Sequence, residues 1–209
     1  MFIDKMRPLI ITRIFFALLG FSAVVTEIAT LNERNLFTPA NFFSYLTVQS
    51  NLLAVIILLL SAVALAGNQS SQRLAMLRGS SALNMIIVGI VFSLLLAGVD
   101  AKLTAVPWDN TVLHYIMPAF VALDWFVDLP KVHISFKQAL IWMIFPAFYV
   151  IYSLVRGHIV SWYPYPFLNP IERGYMSVII TCGVIAIGSA GIIWMLAKFT
   201  GAKHSKNII

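Results

Sequence analysis

A threonine hydroxyl is a weak nucleophile until a base takes its proton, and histidine is the commonest base for that task. Thr47 and His114 each stand about one and a half turns inside a separate apolar stretch of this chain. Polar side chains are costly in such surroundings, so a matched pair points to a site. A hydroxyl and an imidazole brought together there could attack an ester whose acyl chain already lies in lipid. The acyl group would pass to Thr47 and water would release it.

Other residues fit around that pair. Ser44, Thr47 and Asn51 fall at i, i+3 and i+7, one polar stripe on a helix that Gln49 and Ser50 widen. Asn110 and His114 stack at i and i+4. Pro118 has no N–H, so the carbonyl of His114 loses its helical partner. Candidate donors for a developing oxyanion are Asn51, Gln49 and Tyr149. Asp100 or Asp109 could orient the imidazole, and Arg156, Lys102 and Arg173 could hold a substrate carboxylate at the mouth. Simpler readings stand beside these. Thr47 can bond its own helix's carbonyl, Asn51 and Gln49 can join helices, and His114 can face water or a headgroup.

The elements that must position these residues are membrane helices. The chain has 209 residues, of which 60% are hydrophobic and 11% charged, and its mean hydropathy is +0.90. Runs of 18 or more apolar residues recur, each long enough to cross roughly 30 Å of hydrocarbon. Six spans are expected, at about 8–28, 42–66, 79–99, 110–127, 136–155 and 175–199, in one all-α integral membrane domain covering 1–209. The first run continues for about 20 residues without a small-residue cleavage motif, so it reads as a span and not a cleaved signal. Thr38-Pro39 and Asp109 look like start signals for the second and fourth spans.

All but four of the 14 lysines and arginines gather at one side of this arrangement. Arg34, Lys102, Arg156 and Arg173 lie at the other, so both termini are expected in the cytoplasm, as in a prokaryotic cell membrane. The second and fourth spans then begin at the outer face, with Thr47 and His114 each roughly 6–8 Å along them at 1.5 Å per residue. The net charge of +6 is scattered over loops. It suits topology and anionic lipid, not nucleic acid.

Further polar and small residues carry structural expectations. Asp124 is expected to pair with Lys131, and Asn84 to serve packing or a polar cavity. Pro146 should kink the fifth span and free the carbonyl of Trp142. Gly183, Ala186, Gly188, Ala190 and Gly191 suggest a closely packed sixth span. The four histidines are dispersed and Cys182 is the only cysteine, so neither a metal nor a cofactor is expected.

Tyr45-Leu46-Thr47, His114 with Pro118, and Tyr165-Pro166-Phe167-Leu168, in that order along six spans, carry a resemblance to the androgen-induced-gene family of small membrane proteins. The chain is most similar to the prokaryotic branch of that family. Animal members are threonine hydrolases that cleave fatty acid esters of hydroxy fatty acids with one threonine and one histidine. The resemblance implies Thr47 as nucleophile and His114 as base. After the threonine the animal pattern runs apolar-acidic-apolar, whereas Val48-Gln49-Ser50-Asn51 follows here, and a shifted register would make Ser44 or Ser50 the nucleophile. The expected partners are membrane lipids and a lipid ester. The alternatives are a non-catalytic lipid-binding or scaffold protein and a small-molecule transporter.

Overall fold

The computed structural model describes residues 2–97 and 106–200, with side chains from residue 6 onward. Asp100, Lys102 and the end of the expected third span lie outside the described residues. Among the described residues all regular structure is helical, with no strand. Five helices are long and apolar enough to cross a bilayer: Met6–Glu33, Leu46–Ala66, Gln72–Leu96, Phe136–Val160 and Pro170–Lys198. The protein is a multi-pass membrane protein.

The first helix, α1 (Phe2–Glu33), holds Pro8 without breaking and outlasts its apolar run. It closes where Asn35 turns left-handed at φ 56° and the Leu36 N–H reaches back to Leu31. The expected second span is divided. Pro39 opens a single turn, α2 (Pro39–Phe42), and the chain leaves helical geometry at Tyr45 before α3 (Leu46–Ala66) begins. Thr47 therefore lies in the first turn of α3, shallower along its helix than its apolar context suggests.

Ser71 precedes α4 (Gln72–Val91), which continues through one wide π-helical turn, Phe92–Leu96. After the undescribed segment a second such turn, Val112–Ile116, joins α5 (Pro107–Thr111) to α6 (Met117–Val127). A capping box of Ser135 and Gln138 starts α7 (Phe136–Ala139), followed by a tight 3-10 turn, Leu140–Met143, and α8 (Ile144–Val160). The last helix, α9 (Pro170–Lys198), bends at Gly174, whose φ of 76° a side-chain-bearing residue rarely adopts.

The packed centre is formed by α1, α3, α4 and the 107–127 run, with the far end of α9 against them. Trp142 lies where a Cβ at Gly79 would overlap its ring, so glycine is needed there. The indole of Trp125 donates to the carbonyl of Leu196 at 3.2 Å, tying α6 to α9.

Two expectations are corrected. Asp124 pairs not with Lys131 but with Arg13, through Nε at 2.7 Å, and with Arg78 at 3.1 Å. Arg13 also holds Asp128 at 2.7 Å. Guanidinium groups from two other helices satisfy the buried carboxylate more fully than a loop lysine can. On α9, a side chain at Gly183, Gly188 or Gly191 would meet nothing within 4 Å, so these three glycines do not mediate close packing in the monomer. Asn84 bonds the carbonyl of Ser80 in its own helix.

Candidate active site

The first turn of a helix leaves N–H groups without intrahelical partners. The break at Tyr45 exposes that turn of α3, and the Tyr165 hydroxyl accepts the Thr47 N–H at 3.3 Å. The Thr47 hydroxyl has no regular helical turn before it whose carbonyl it can bond. Its partners are the Tyr165 hydroxyl and Nε2 of His114, both at 3.3 Å. The residues paired by depth in the sequence thus meet. Thr47 and His114 are both buried.

His114 sits within the Val112–Ile116 turn. Its Nδ1 lies 3.0 Å from the backbone carbonyl oxygen of Asn110. A carbonyl only accepts, so Nδ1 carries the proton and Nε2 presents its lone pair to Thr47. Phe92, from the other π-helical turn, stacks on the imidazole at 3.8 Å and fixes its plane. Wide turns of this kind occur often at functional sites.

The wide turn also redirects backbone groups. The Met117 N–H reaches back to Val112, and Pro118 has no N–H to offer. The carbonyl of Leu113 is taken instead by the Asn51 amide at 3.1 Å, and the same nitrogen donates to the carbonyl of Thr47 at 2.9 Å. Asn51 therefore joins the backbones of the two helices that carry the pair.

That bond removes Asn51 as an oxyanion donor. Tyr149 donates its one hydrogen to the carbonyl of Ser44, and Gln49 donates to the carbonyl of Phe43. Ser44 bonds the Ala40 carbonyl and the Tyr152 hydroxyl, away from His114. Ser50 is buried with no hydrogen-bond partner for its hydroxyl. Asp109 is fully buried and interacts with Glu27 of α1, so the orienting group is the Asn110 backbone and not Asp109. Asn110 contributes that carbonyl, with no bond from its side-chain oxygen.

Tyr165 is the site residue that the sequence did not single out for chemistry. It stands in a short loop between α8 and α9, and its ring contacts Tyr45 and Phe167. Tyr45 in turn meets Trp162, over which Arg156 places its guanidinium at 4.9 Å. Arg156 also donates to Asn41 at 2.7 Å. Arg173 is exposed in the first turn of α9 and is not part of this cluster.

A cavity of about 310 Å³ adjoins the pair. Thr47 and Tyr165 stand at one end, and Ile87, Met143 and Ser189 at the other. His114 does not reach its wall but bonds Thr47 and stacks on Phe92, both of which do. Among the described residues no group of three His, Cys, Asp or Glu side chains is placed to hold a metal ion. Comparisons with family models, curated proteins and solved structures give no significant match.

Proposed function

We propose that the protein is an intramembrane lipid-ester hydrolase with Thr47 as nucleophile and His114 as general base. One observation carries this reading: Nε2 of His114 lies 3.3 Å from the Thr47 hydroxyl while Nδ1 is held by the Asn110 carbonyl. That is the hydroxyl, base and orienting group of an acyl-transfer site, with a backbone carbonyl as the third member. In this reading His114 takes the Thr47 proton as the oxygen attacks the ester carbonyl. It then returns the proton to the leaving alkoxide, and water, activated by the same imidazole, frees the acyl group.

Tyr165 supplies the oxyanion donor. With the Thr47 hydrogen turned to Nε2, the Tyr165 hydroxyl donates to the Thr47 oxygen at rest, and it turns to the charge that develops beside Thr47 once that oxygen bonds the acyl carbon. The start of α3 adds its positive dipole end at the same place. Fatty acid esters of hydroxy fatty acids, or similar acyl esters, are the proposed substrates, in keeping with the largely apolar cavity beside Thr47. Arg156, held by Asn41 and Trp162 in the cluster beside Tyr45 and Tyr165, suits a substrate carboxylate.

In this reading the 107–127 helical run is the sixth crossing, so both termini share a side, and the excess of lysine and arginine there assigns that side to the cytoplasm of a prokaryotic cell, with the Thr47 end toward the outer leaflet. A single cysteine placed at Ser205 and another at Arg34 should react with a membrane-impermeant maleimide from opposite sides. The enzymatic reading is tested by hydrolysis of a fatty acid ester of a hydroxy fatty acid in proteoliposomes. Wild type should release fatty acid and Thr47→Ala should not. Equal release by both proteins, or by neither across a panel of acyl esters, sinks it.

A further inference from the structure

The cavity beside Thr47 exists because α8 stands off from the bundle. Its outer half is tied to the 41–44 region through Tyr149, Tyr152 and Arg156. Its base is held where Trp142 packs against Trp125 and Gly79. Between these anchors no sustained contact joins α8 to α9. Ala147 and Ile151 of α8 and Ala186 of α9 line the cavity and are also exposed on the protein surface, Ile151 by 58%. All three belong to helices of membrane-spanning length. The cavity therefore opens sideways into hydrocarbon.

Its wall along α4 runs from Leu96 to Ile87, roughly 13 Å at 1.5 Å per residue. Thr47 stands at one end of this wall and apolar side chains make up most of the remainder. A long, narrow, apolar chamber open to lipid at mid-helix fits one acyl chain better than a compact polar solute.

We propose that the substrate's acyl chain enters laterally from the bilayer, between Ala147 and Ala186, and lies in this chamber while its ester reaches Thr47. The assignment of the chain to the ester being cleaved rests on the hydrolase reading above. The portal itself is tested without hydrolysis. The two small residues act as its gateposts, where a bulky side chain faces no packed neighbour and blocks only the opening.

The probe is a long-chain fatty acid methyl ester with a mid-chain diazirine, photolysed with full-length Thr47→Ala protein in liposomes and mapped by mass spectrometry. Labels are expected on Val150, Cys182 and Ile185, and should fall severalfold in Ala147→Trp and in Ala186→Trp. Val184→Trp, on the same helix but outside the chamber, should label like its parent. Labelling that survives both tryptophans overturns the lateral route. So does labelling confined to outward residues such as Phe148 and Ile187. If the chamber labels as expected but no ester is ever hydrolysed, the portal stands and the hydrolase reading fails.

Discussion

The side-chain amide of Asn51 donates to the carbonyl oxygen of Leu113 across 3.1 Å, supplying what a wide turn and a proline withhold. It links the helix of the hydroxyl to the helix of the imidazole. Asn51→Leu keeps the side-chain volume but leaves the buried Leu113 carbonyl without this donor, at a cost of about 1–3 kcal/mol. Reversible unfolding in mixed micelles should register that loss, and hydrolysis should fall as the helices drift. An unchanged stability would show that water replaces the amide.

His114 should be the most sensitive position after Thr47. His114→Ala removes the base and should lower turnover by roughly 10²–10⁴-fold. Asn110→Ala retains the backbone carbonyl that holds Nδ1, so it should stay within about tenfold of wild type on the same scale. Turnover of a fluorogenic acyl ester in proteoliposomes separates the two. Equal losses in both would mean that the Asn110 side chain, not its carbonyl, does the orienting.

Tyr165→Phe deletes one hydroxyl and keeps the ring against Tyr45 and Phe167. Loss of an oxyanion donor costs about 10²–10³-fold in kcat in well-studied cases, with KM little affected. A change confined to KM would instead make Tyr165 a binding residue.

At the other end of the bundle, Asp124→Asn leaves Arg13 and Arg78 sharing one carboxylate, that of Asp128. Breaking a buried ion pair from one side typically costs about 3–5 kcal/mol. Thermal unfolding should show this, while Arg13→Met combined with Asp124→Leu should cost less than the sum of its parts. Strict additivity would argue that Arg78 and Asp128 carry the network alone.

Much of this arrangement is legible from residue types. A threonine and a histidine at similar depth stand out because the background is apolar, and the long spans follow from length and hydropathy. The break at 43–45 is not legible, since Phe43, Ser44 and Tyr45 include neither glycine nor proline. The partner of Asp124 is hidden for another reason. Lys131 is close in sequence, whereas Arg13 is 111 residues away and meets it only after folding. Tyr165 lies in a segment whose aromatic and proline content reads as interfacial, and only the return of the 161–169 loop over α3 brings its hydroxyl to Thr47. The outward face of α9 shows the converse error, because small residues permit close packing without requiring it.

The most direct measurement is the site of covalent capture by a lipophilic fluorophosphonate in native membranes, read by peptide mass spectrometry. The adduct should fall on Thr47 and vanish in His114→Ala, whose Thr47 hydroxyl has lost its base. An adduct on Ser44 or Ser50, or one on Thr47 that forms equally fast without the imidazole, contradicts the account.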